Sequence, residues 1–113
     1  MKVIEKPWGK EEVLEVNDKY MVKRLTMLAG HRCSLQYHEK KHETIYVLSG
    51  KLGIVHGKEE KSLKTLELVT GDFLSIEARI IHRMMGIEDC VYLEASTPEL
   101  TDVVRLVDDY DRK

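Results

Sequence analysis

The 113 residues carry 18 basic and 20 acidic side chains, for a net charge of -2, and 42% of them are hydrophobic. That balance furnishes one modest core, expected as a single domain over residues 1–113, and no basic field for a phosphate backbone, which excludes nucleic acid as a partner. No apolar run approaches the roughly 20 residues of a bilayer-spanning helix, and the charged opening Met1-Lys2-Val3-Ile4-Glu5-Lys6-Pro7 is no signal peptide, so a cytoplasmic chain without membrane attachment is expected.

In chain order, short segments rich in β-branched and aromatic residues alternate with glycine turns. Strands are expected over residues 20–28, 44–48, 52–55 and 63–69, each closed by a glycine-containing turn, and then over 73–76, 90–95 and 103–107. Helix signals are weak throughout. The charged run Lys58-Glu59-Glu60-Lys61 reads as a solvated hairpin, and an acidic tail, Asp108-Asp109-Tyr110-Asp111, follows the last strand. This rhythm is antiparallel and all-β, and it points to a jelly roll or barrel whose mouth can hold a ligand. Cys33 and Cys90 lack C-x-x-C spacing and are expected as free thiols.

The residues that carry chemistry cluster in two places. On a strand, Gln36 and His38 share the interior face and Tyr37 points away. Glu43 follows His38 by five residues, a spacing that suits a short turn onto the next strand, with Ile45 and Val47 continuing its face and His42 opposite. His82, eleven residues after Gly71, supplies a further imidazole. Four such groups are costly inside a barrel unless something satisfies them, and one divalent cation does so for all. Two imidazoles, a carboxylate and an amide oxygen, with no thiolate, leave room for water or substrate and admit Zn, Mn, Fe, Co or Ni. His31 and His56, beside Gly30 and Gly57, are expected to be exposed.

The run from Gly30 through His38 and Glu43 to Gly50 resembles the first motif of the cupin superfamily, G-x5-H-x-H-x4-E-x6-G, with Gln36 in place of its first histidine. Gly71 and His82 match the second motif, G-x5-P-x-G-x2-H-x3-N, where Glu77, Arg79 and Gly86 replace its Pro, Gly and Asn. A narrower resemblance rests on Lys6-Pro7-Trp8-Gly9, Val22-Lys23-Arg24-Leu25, Ser34-Leu35-Gln36-Tyr37-His38, residues 43–50, His82-Arg83-Met84 and residues 102–112. These segments are similar to the C-terminal isomerase domain of type II mannose-6-phosphate isomerases, where the glutamine variant of the first motif is usual.

That resemblance implies a cupin barrel, expected as a homodimer, that binds one divalent metal ion through Gln36, His38, Glu43 and His82. The implied reaction is aldose-ketose interconversion of a small-molecule sugar phosphate, mannose 6-phosphate to fructose 6-phosphate or a related pair. Lys41, Glu94 and Arg105 take the implied catalytic roles, and Arg105, Arg112 and Lys23 the phosphate. Lys23 and Arg24 are adjacent on a strand, so at most one reaches the cavity. The plainer reading makes Glu94 a surface or supporting carboxylate and pairs Arg105 and Arg112 with the acidic tail. Trp8 is expected as a lid or a dimer contact. Relatives often carry a nucleotidyltransferase domain ahead of the cupin; no such segment is read here, so guanylyltransferase activity is not expected.

The family pattern Q-x-H-x-H-R-x-E-H-W reads here with Lys40, Lys41, Thr44 and Ile45 at the second His, the Arg and the closing His-Trp. Arginine offers a planar fork and lysine a point charge, so the change bears on substrate identity. Two other readings stand beside the isomerase: a cupin dioxygenase, and a non-catalytic metal- and sugar-binding module. Gln36 and Asp102-Val103-Val104-Arg105-Leu106 argue against the dioxygenase.

Overall fold

A computed structural model describes residues 1–99 and 101–110. Among them eleven strands form: β1 (Lys2–Lys6), β2 (Gly9–Val16), β3 (Met21–Met27), β4 (Leu35–Tyr37), β5 (Glu43–Ser49) and β6 (Lys51–Gly57). After one turn of 3-10 helix (Glu60–Ser62) come β7 (Lys64–Val69), β8 (Phe73–Ile76), β9 (Ile81–Gly86), β10 (Cys90–Ser96) and β11 (Val104–Val107). Strand pairing is antiparallel throughout, in a six-stranded sheet ordered β1-β2-β3-β10-β5-β8 and a five-stranded sheet ordered β11-β4-β9-β6-β7.

Period-two alternation sets the faces. In β5, Glu43, Ile45 and Val47 are buried while Thr44, Tyr46 and Leu48 are exposed. The inner faces join Leu25, Met27, Ile45, Val47 and Tyr92 of one sheet to Leu52, Ile54, Leu68 and Met84 of the other. Along four strands this apolar face turns ionisable toward the same end: Leu25 gives way to Lys23, Ile45 to Glu43, Met84 to His82 and Tyr92 to Glu94. The core fills one end of the barrel and the chemistry the other.

Four strands depart from the sequence expectation. β1 and β2 form a hairpin rich in Lys and Glu, since only its inner face packs, over the cavity mouth. β4 has three residues. β9 shows no alternation because it is buried on both sides, its outward Arg83 being covered by Val107 and Asp109. The link from His38 to Glu43 is short and leads onto the next strand as expected, and because β4 and β5 lie in different sheets residues 38–42 cross between them.

Residues 58–61 are exposed between the paired β6 and β7, as a solvated hairpin requires, and among the described residues neither Cys33 nor Cys90 forms a disulfide. Gly50 sits at φ 78, where a Cβ would lie 2.1 Å from the Asp89 carbonyl oxygen, so this tight β5–β6 connection admits only glycine. Two histidines are less exposed than expected. His31 is half-buried, its Nδ1 2.6 Å from the Tyr110 hydroxyl, and His56 is half-buried within β6, opposite His82. Among the described residues no helix is long and apolar enough to cross a membrane.

Candidate metal centre

Register assembles the site. Across the five-stranded sheet Arg105 pairs with Gln36, and Gln36 with His82, which sets all three in one row on the cavity side. From the six-stranded sheet come Glu43 on β5 and Glu94 on β10, with Lys23 directly opposite Glu94 on β3. His38 enters just past the end of β4, and Lys41 from the link that follows.

Ligand atoms of His38, Glu43 and His82 all lie within 4.8 Å of one another, and all three side chains are buried. Nε2 of His38 is 3.5 Å from one Glu43 oxygen and Nε2 of His82 is 3.6 Å from the other. Each ring is oriented from behind: Nδ1 of His38 lies 2.6 Å from the Asp102 carbonyl and Nδ1 of His82 2.9 Å from the Ile80 carbonyl. A carbonyl only accepts, so each Nδ1 carries the proton and each Nε2 turns a lone pair toward Glu43. His38 Nε2 is buried and has no hydrogen-bond partner among the described residues.

The electrostatics leave room for a cation. Burial pushes His82 down to about 4 and His38 also downward, so both rings are neutral ligands near pH 7. Burial, then the nearby Glu94 charge, pushes Glu43 up to about 8. Burial alone would raise Glu94 too, but Lys41 and then Lys23 outweigh it and hold Glu94 below its ordinary value. Burial opposes the charge on Lys41, yet Glu94 and Glu43 overcome it and raise Lys41. Two buried carboxylates therefore share one ammonium, and a dication between Glu43 and the two imidazoles would supply the missing positive charge. The residues fit a divalent ion.

Gln36 lines the same cavity, but its Oε1 accepts a hydrogen bond from Ser34 Oγ at 2.5 Å, so three residues converge directly and the amide stands beside them. The cavity encloses about 370 Å³. Lys41 and Glu94 both line it as a buried ion pair at 2.8 Å, so Glu94 is no surface carboxylate. Lys40 is exposed, leaving Lys41 as the exchange that meets the site.

Arg105 also faces the cavity, with a buried Nε that has no hydrogen-bond partner among the described residues. The acidic tail is served instead by Arg32 and Arg83, both of which reach Asp109. Lys23 lines the cavity while Arg24 points away, bound to Glu12 at 2.8 and 3.0 Å. Lys23 is tied to Glu11 at 2.9 Å. Arg112 lies outside the described residues. Trp8 is neither lid nor surface contact: at 3% exposure it belongs to the core and to the cavity wall, because β1 and β2 fold over it. Glu11 and Lys6 line the cavity without having been expected there, since their hairpin showed no strand pattern.

The family described as mannose-6-phosphate isomerase C-terminal matches residues 1–94. The chain is 29% identical over 112 residues to the mannose-1-phosphate guanylyltransferase of Escherichia coli (strain K12), covering 95% of this chain and 22% of that protein. It is 28% identical over 112 residues to the xanthan biosynthesis protein XanB of Xanthomonas campestris pv. campestris, covering 95% of this chain and 23% of that protein. The chain thus spans less than a quarter of the length of these curated relatives.

Among solved structures, oxalate decarboxylase from Lactobacillus farciminis superposes with TM-score 0.78 at 20% identity over 93% of this chain and 33% of that one. KdgF from Halomonas sp. superposes with TM-score 0.76 at 16% identity over 90% of each. The fold is that of a cupin.

Proposed function

The chain belongs to the mannose-6-phosphate isomerase C-terminal family, and from that premise we propose that it is a metal-dependent aldose-ketose isomerase. Its proposed substrates are mannose 6-phosphate and fructose 6-phosphate, or a related pair. The observation that carries the reading is the buried Lys41–Glu94 pair beside the His38, Glu43, His82 group in one cavity. Such a pair is what proton transfer between adjacent carbons needs, and a purely structural metal site does not call for it.

His38, Glu43 and His82, with Gln36 alongside, would hold the ion. Bound there, it would supply Lewis-acid stabilisation of charge developing on the sugar's oxygens, worth several kcal/mol in metal enzymes generally. Glu94, kept as a carboxylate by Lys41, takes the proton from C2 of the aldose and returns it to C1 through an enediol. Lys41 donates a proton to the carbonyl oxygen at C1 and recovers one from the C2 hydroxyl, so no proton is consumed. Arg105 receives the phosphate with its buried Nε, which has no partner among the described residues. Lys23 contributes less because Glu11 already engages it, and Arg112 is assigned to the phosphate by resemblance alone. Trp8 and Tyr92 in the wall keep water from the enediol.

The test is a coupled assay of the metal-supplemented protein with mannose 6-phosphate and fructose 6-phosphate. Isomerisation that disappears in His38→Ala is the expected result. Saturable sugar-phosphate binding without turnover would replace the isomerase by a binding module, and oxygen consumption would replace it by a dioxygenase.

A further inference from the structure

We propose that Asp102 is the positioning residue of the metal centre, holding with one side chain and one carbonyl the link that carries both His38 and Lys41. The inference rests on the metal reading above and extends it to a residue outside the cavity.

The link 38–42 lies between β4 and β5, where it crosses from one sheet to the other without a strand ladder. Three of its successive amides converge on the Asp102 carboxylate: Glu39 N–H at 3.0 Å, Lys40 N–H at 2.7 Å and Lys41 N–H at 3.0 Å. Successive N–H groups curled around one anion form a concave nest, a geometry that fixes the backbone torsions of every residue in it. The carboxylate responds as an anion in such a nest should, held below its ordinary pKa chiefly by the Lys40 N–H. Meanwhile the Asp102 carbonyl takes the Nδ1 proton of His38 at 2.6 Å, which sets the tautomer and the ring rotation.

The consequence is local and directional. Glu39 and Lys40 leave their side chains exposed, while His38 and Lys41 are buried, one aimed at Glu43 and the other at Glu94 and Glu43. The nest decides which two of the four point inward. Because Asp102 precedes β11 by two residues and Arg105 lies on β11, the same short segment also delivers the cavity's arginine. Loss of the carboxylate frees the link to rotate, and the His38 ring loses its fixed partner even though the Asp102 carbonyl is still present.

The experiment uses the full chain with Asp102→Ala and Asp102→Asn. In metal-free protein, long-range proton-nitrogen NMR of the His38 ring should show the Nδ1–H tautomer in wild type and a mixture of tautomers in Asp102→Ala. Titration with Co(II), followed by its visible spectrum, should show affinity about 10- to 100-fold weaker in Asp102→Ala. Asp102→Asn, which keeps one acceptor oxygen for two of the amides, should recover part of that loss. It also carries both measurements if the alanine variant does not fold. A folded variant with the wild-type His38 tautomer and Co(II) affinity, whatever its melting temperature, overturns the proposal. Wild-type protein that takes no Co(II) sinks the metal reading instead, and the tautomer then judges Asp102 by itself.

Discussion

Lys41 and Glu94 form an ion pair at 2.8 Å with 8% and 9% of their side chains exposed, and Glu43 stands 3.5 Å from the same ammonium. Glu94 holds Lys41 more closely than Glu43 does. That asymmetry separates the carboxylates: Glu94 is pushed down and Glu43 up to about 8, the pattern that leaves one as a ready base and the other awaiting a cation.

Removing the ammonium should therefore be expensive. Lys41→Met leaves the Glu94 carboxylate buried beside Glu43 with its closest compensating charge gone, and breaking a buried pair from one side costs about 3–5 kcal/mol. Urea unfolding of the metal-free variant should show a loss of that order, while Lys41→Arg, which keeps the charge, should lose much less. A Lys41→Met protein as stable as wild type would mean that the pair carries no weight in the fold.

Glu43 predicts a pH slope with a definite sign. Its ordinary value is near 4.5 and its folded value about 8, so between these the folded chain keeps a proton that the unfolded chain has released. Raising the pH then favours unfolding, by on the order of 1 kcal/mol per pH unit at most. The stabilisation is complete below 4.5 and is lost as pH climbs to about 8. Glu94, whose folded value is depressed, acts in the opposite sense and only below its ordinary 4.5, outside this window. Below 6.5 the lowered His82 and His38 act in the opposite sense, so the Glu43 slope is clearest from about pH 7 to 8, where it should flatten in Glu43→Gln, measured by urea midpoints in the presence of a chelator. An identical slope in both proteins would remove Glu43 as its source.

How much of this was legible beforehand depends on the kind of signal. Strands with one buried face, such as β5 and β10, announced themselves by alternation, and the spacings of His38, Glu43 and His82 pointed to three side chains that do converge on the cavity side. β9 was hidden because Arg83 is buried outward under the C-terminal segment, which erases period two. Trp8 looked like a surface residue because the β1–β2 hairpin that encloses it is mostly charged. Asp102 was visible only as a letter in a motif: its work is done on backbone N–H groups more than sixty residues earlier, and no side-chain pattern encodes those contacts.

Ion binding should expel a proton. At neutral pH Glu43 is protonated in the metal-free site, and a cation that takes its carboxylate must displace that proton. His38 and His82 add nothing here, since burial keeps both neutral. Metal affinity should rise about tenfold per pH unit up to about 8 and then level off. Calorimetry of Zn(II) or Mn(II) binding at pH 6.5, in buffers of different ionisation enthalpy, should report release of about one proton. Binding with no proton release would show that Glu43 is already ionised or is not a ligand.

Arg105 allows the proposed phosphate recognition to be tested apart from the chemistry. Its buried Nε lacks a partner among the described residues, and register places it on the same row as Gln36 and His82. A phosphate in the cavity would give that N–H an ionised acceptor, a bond worth about 1.5–3 kcal/mol, or roughly 10- to 100-fold in binding. Arg105→Ala should raise KM for the phosphorylated sugar by that factor and leave the weak binding of the unphosphorylated sugar unchanged. Arg105→Lys should recover only part, because an ammonium cannot reproduce the guanidinium fork. The metal centre is untouched by either change, so Co(II) spectra should match wild type. If affinities for both sugars fall together, Arg105 shapes the cavity rather than reading the phosphate.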